Sequence, residues 1–91
     1  MARTPEEDFA KAVIAYLGTV PGKSDIIRNI IAALPRFIQL TPEDEQESDT
    51  RPGESLWEQS ARNIVSHKKS PGNAIHDGLL AHKKPAILYI P

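Results

Sequence analysis

The chain has 91 residues, 40 % of them hydrophobic and 25 % charged, with no cysteine and a formal net charge of −1. These values describe one small globular domain with a modest core. They exclude a disulfide framework, thiolate metal sites and, for want of about 20 consecutive apolar residues, a membrane-spanning helix. The charged, periodic N-terminal stretch does not read as a signal peptide, and the missing cysteine fits a reducing cytoplasm.

A near-neutral total argues against a nucleic-acid binder, but the charge is unevenly placed. Residues 1–40 hold five basic and four acidic side chains, residues 41–56 one and six, and residues 57–91 five and two. The acid is concentrated in one short segment and the base in the last third, which suggests a polarised surface.

In chain order, Thr4-Pro5-Glu6-Glu7 reads as a helix start, with Thr4 as cap, Pro5 in the first turn and Glu7 completing a capping box. Phe9, Ala10, Val13, Ile14 and Leu17 then follow helical spacing, and Gly18 and Pro21-Gly22 end the helix. Ser24 is a second cap candidate, ahead of the stripe Ile26, Ile27, Ile30, Ile31 and Leu34. Pro35 ends or kinks that helix. The following "RFIQL" is compatible with helix, turn or extended connector. Residues 41–54, "TPEDEQESDTRPGE", read as a solvated acidic inserted loop with at most a short helical turn at its start.

Ser55 and Glu58 form a further capping box, and a third helix runs to about His67 or Lys68, ahead of Ser70-Pro71-Gly72-Asn73. The closing "GLLAHKKPAILYIP" has two apolar runs flanking Lys83-Lys84-Pro85, the second rich in β-branched and aromatic residues, and reads as a hairpin. Three helices followed by a hairpin is the element order of a winged helix-turn-helix, an α+β, mostly helical fold. A lone hairpin is barely stable, so this one must pack on the helices.

At about 100° per residue, Trp57, Ala61, Ile64 and Val65 share one side of the third helix and Gln59, Arg62, Asn63 and Ser66 the other. The second set contains no acid. Arg matches guanine, and Asn or Gln adenine, in donor and acceptor geometry at the major-groove edge, while Ser suits base or phosphate. His67, Lys68 and Lys69 at the helix end, with Lys83 and Lys84 at the hairpin tip, suit phosphate. The expected ligand is therefore double-stranded DNA, the third helix in the major groove and the wing on the backbone. Trp57 reads either as a core anchor beneath the helix or as the wall of a modified-base pocket. His67, His76 and His82 match no metal-finger spacing, and no Gly-rich phosphate loop, nucleophile elbow or HExxH occurs, so neither a metal, a cofactor nor catalysis is expected.

These residues resemble the N-terminal winged-helix domains of bacterial restriction endonucleases of the Mrr type and similar modules on other restriction nucleases. The resemblance runs from about Phe9 to the end. It rests on the early amphipathic helix, "DIIRNIIAAL", "LTPED", "LWEQSARNIVSH" with its tryptophan near the start, and "GLLAHKKPAILYIP". It implies DNA targeting for a separate C-terminal nuclease domain, in some relatives with sensitivity to base methylation. Only Trp57, Gln59, Arg62, Asn63, Ser66 and the wing lysines carry over, since neither a PD-(D/E)xK nor an HNH motif occurs. Such chains continue into a linker and catalytic domain whereas this one stops at Pro91, so a fragment or a naturally short relative is expected. The alternative is a protein-interaction or dimerisation module on the same fold, homodimers included.

Overall fold

The computed structural model describes residues 3–91. Helix α1 spans Glu6–Leu17 and buries Phe9, Ala10, Ala12, Val13 and Leu17, the face set by the helical spacing. Glu6, Glu7 and Asp8 lie in its first turn, where carboxylates offset the positive end of the helix dipole. The predicted cap does not form: Pro5 is the N-cap residue, with no side-chain cap hydrogen bond. Thr4 instead gives its hydroxyl to Asp44 Oδ2 at 2.6 Å and its N–H to Asp44 Oδ1 at 2.8 Å. The Thr4 N–H that a capping box would give to the Glu7 carboxylate is taken by buried Asp44 instead.

Beyond α1 the chain turns through Gly22 and Lys23, both left-handed (φ 77° and 53°), into strand β1, Ser24–Ile26. This strand corrects the sequence reading, which placed Ser24 at a helix cap and Ile26 inside the helix. β1 pairs antiparallel with β3 (Ile87–Tyr89), Ser24 opposite Tyr89 and Ile26 opposite Ile87. Strand β2 (Ala81–Lys83) pairs with the other edge of β3. Isoleucine is no better than a middling helix former and a strong strand former, so a partner edge decides its state. Helix α2 is accordingly short, Ile27–Ala33, and buries Ile30, Ile31 and Ala33. Its first N–H, that of Ile27, donates to Ala86 O in the hairpin turn at 2.8 Å. Asp25, not Ser24, organises this junction. Its carboxylate accepts from the Ile26 N–H (2.8 Å), Asn29 Nδ2 (3.0 Å) and the Tyr16 hydroxyl (2.6 Å).

A 3-10 turn at Leu34–Arg36 follows α2, as Pro35 requires. Helix α3 spans Leu56–Ser66. The result is an α+β fold of three helices and a small antiparallel sheet in strand order β1-β3-β2. Phe9, Val13, Leu17, Ile30, Leu34, Ile64 and Leu80 are the buried centre. Each contributes roughly 1.5–3 kcal/mol through removal from water. The sheet joins the core through Leu88, 2 % exposed, so the hairpin gains both a third strand and an apolar footing.

Two irregular segments are more ordered than their composition suggests. The segment after α3 is built on Asn73, 8 % exposed. Its Nδ2 donates to Ile64 O at 2.9 Å, and its Oδ1 accepts from the N–H groups of Ile75 and His76 at 2.8 and 3.2 Å. The acidic segment 41–54 is not the solvated loop its charge suggests, for Asp44 and Ser48 are 1 % and 3 % exposed. It is a strap against α3: the N–H groups of Leu56 and Trp57, unpaired within the helix, donate to Gln46 O and Asp44 O at 2.8 and 2.9 Å. Glu45, Glu47 and Asp49 do face solvent.

Candidate nucleic-acid interface

Helix α3 starts as its sequence requires. Ser55 is the N-cap residue of a capping box with Glu58, whose Oε1 accepts from the Ser55 N–H at 3.0 Å. The apolar side faces the core. Ala61 and Ile64 are buried, Trp57 and Val65 pack at its margin, and Ser60 joins them at 7 % exposure. Trp57 stacks on Phe9 of α1, ring centroids 6.5 Å apart and planes 23° from parallel. It also lines a hollow of about 310 Å³ with Arg28, Ile31, Pro35 and Arg62. The stacking accounts for the core role of Trp57.

The polar side is divided. Gln59 is held by the strap: its Oε1 accepts from the Ser48 hydroxyl at 2.6 Å and its Nε2 donates to Thr50 Oγ1 at 3.0 Å. Arg62 donates from Nε to Glu54 Oε2 at 3.0 Å, with the two side chains 38 % and 18 % exposed. Asn63 is half-buried and Ser66 exposed, and neither side chain has a hydrogen-bond partner among the described residues. His67, the C-cap residue, is tied back to α1 through Nδ1 and Glu6 Oε1 at 2.8 Å. Beyond it Lys68 is half-buried and Lys69 exposed, and at the hairpin turn Lys83 and Lys84 are exposed.

The ion pairs of the described residues are Arg62–Glu54, His67–Glu6 and His76–Asp77. None involves a lysine. Cations of the α3 end and the hairpin tip are thus free to meet an anion, whereas the N-terminal half of the predicted base-reading face is engaged by the strap. Lysines past a helix C-terminus also suit its negative end. His76 Nδ1 pairs with Asp77 Oδ1 at 2.9 Å, and this hydrogen bond keeps the Asp77 carboxyl below its usual value. No group of three or more metal-ligating side chains occurs among the described residues.

Two carboxylates, Asp44 buried and Asp25 half-buried, are held by hydrogen bonds. Desolvation alone would raise the Asp44 carboxyl, but hydrogen bonds from Thr4 and Thr41 outweigh it and hold it below the usual range. The Tyr16 hydroxyl does the same to Asp25, and the shared bond pushes the tyrosine up. Sequence reading missed Ser48, Thr50 and Glu54, which set the state of Gln59 and Arg62. They lie 8 to 11 residues away across an irregular segment and carry no periodic signal. Compared with protein-family models, curated proteins and solved structures, the chain matches none.

Proposed function

We propose that this chain is a winged-helix domain that binds double-stranded DNA. The observation that carries the reading is the combination of chain order and charge. The order helix, strand, helix, helix, strand, strand, with the sheet in order β1-β3-β2, supports reading the last two strands as a wing. The wing turns at two exposed lysines that have no acidic partner among the described residues. In this reading α3 enters the major groove. Arg62, Asn63 and Ser66 meet base edges, and Lys68, Lys69, Lys83 and Lys84 displace counterions from phosphate. That the domain directs a restriction-type nuclease, with or without sensitivity to base methylation, rests on the sequence resemblance alone.

Fluorescence anisotropy against duplex DNA, plain and methylated at adenine or cytosine, across a salt series tests the proposal. Binding should fall steeply with salt, and Arg62→Ala should cost about 1–3 kcal/mol on preferred sequences only. Absence of binding at low salt would overturn it.

One observation favours a second reading, a protein-interaction module. A groove of about 520 Å³ runs between α1 and the segment after α3, floored by Ala10, Ile14, Ile64 and Ala74 and edged by Leu79. Leu79 is 59 % exposed. A partner seated there would bind with little salt dependence, which separates the two readings.

A further inference from the structure

The acidic strap touches the polar face of α3 through two contacts of different kind. Gln59 uses both ends of its amide on Ser48 and Thr50. Arg62 uses one nitrogen only, Nε, on one carboxylate oxygen of Glu54. A guanidinium has five N–H donors, and its terminal Nη1/Nη2 fork is the edge that matches two acceptors in a plane. That fork has no partner among the described residues, and 38 % of the side chain remains exposed.

Glu54 is itself held in place. Its N–H donates to Arg51 O at 3.0 Å, and its carbonyl accepts from the Ser48 N–H at 2.8 Å. Its side chain is 18 % exposed, and its second oxygen, Oε1, is buried without a hydrogen-bond partner. A carboxylate in that condition has one strong attachment, the Arg62 Nε–H. Holding a long side chain by its inner nitrogen removes rotamer freedom before any ligand arrives, so less entropy is lost when the fork binds.

We propose that Glu54 is a positioning residue for base recognition, orienting the Arg62 guanidinium so that its free fork meets the two acceptors of a guanine edge. The inference rests on the DNA-binding reading above and adds the source of its sequence preference. The acidic strap in this view serves readout. It is the opposite of a shield that DNA must displace, and the two roles give opposite results on removing Glu54.

The test compares wild type, Glu54→Ala, Glu54→Gln, Arg62→Ala and the Glu54→Ala/Arg62→Ala double variant. Each is bound to a duplex pool randomised at its centre, and the bound fraction is sequenced. Affinity for the unselected pool and thermal unfolding by Trp57 fluorescence are recorded alongside. Glu54→Ala should lower enrichment, roughly five- to tenfold, at the same positions that Arg62→Ala erases. It should have no further effect in the Arg62→Ala background, an outcome that a merely structural role would not produce. Glu54→Gln keeps an acceptor for Nε and should keep most of the enrichment, and it carries the test if the alanine variant fails to fold. Tighter binding by Glu54→Ala with enrichment unchanged would overturn the inference and make the strap a shield. Wild-type binding that is salt-dependent but enriches nothing would overturn it while leaving DNA binding intact. No wild-type binding at low salt would instead remove the DNA reading beneath it.

Discussion

The strap at 41–54 and the hairpin at 81–89 have opposite fates. Both are short, charged and interrupted by proline. In the strap, Asp44 and Ser48 are buried and accept or donate at every turn. In the hairpin, Lys83 and Lys84 stand exposed, and the order comes from backbone pairing with β3 and the buried Leu88. The strap uses its polar groups on the protein itself, and the hairpin leaves Lys83 and Lys84 without an acidic partner among the described residues. Charge alone would leave both segments solvated; an account of where each hydrogen bond goes separates them.

The comparison breaks most readily at Asp44. Asp44→Ala strands the N–H groups of Thr4 and Thr41 and the Thr4 hydroxyl. It should destabilise the domain by about 2–3 kcal/mol in urea unfolding. Wild-type stability in this variant would mean the strap is solvated after all. Acid probes the same group without mutation. Asp44 and Asp25 are held below the ordinary carboxylate value of 3.8, so the unfolded chain binds their protons more readily. Their contribution is complete above that value and is lost as pH falls below it toward the folded values. Stability measured downward from neutral pH should therefore drop in that acid window, and Asp44→Asn should flatten the drop.

Ser48→Ala sharpens the contrast at smaller cost. It removes the hydroxyl between the strap and Gln59 and should destabilise by about 1 kcal/mol. Lys83→Ala should change stability least, within about 0.5 kcal/mol, as a surface substitution without partners does. If the hairpin meets DNA, the same change flattens the salt dependence of binding by about one unit. An unchanged slope would take the hairpin out of the contact surface.

The sequence by itself determined those features whose cause lies within a few residues. The apolar stripe of α1 and the start of α3 at Ser55 with Glu58 were legible, as was Trp57 on the core side. The hairpin about Lys83-Lys84-Pro85 was legible for the same reason, since each depends on a spacing of two to four. Only the tertiary structure decided which polar groups are occupied. Thr4 finds Asp44 40 residues away, and the helix start expected at Ser24 yields to a strand because β3 offers it an edge. Gln59 and Arg62 lie on the outer face as the helical wheel requires, yet Ser48, Thr50 and Glu54 reach them across an aperiodic segment. Periodicity reports which way a side chain faces. Its partner is set by long-range packing, where one strong acceptor such as Asp44 captures donors that local capping would otherwise use.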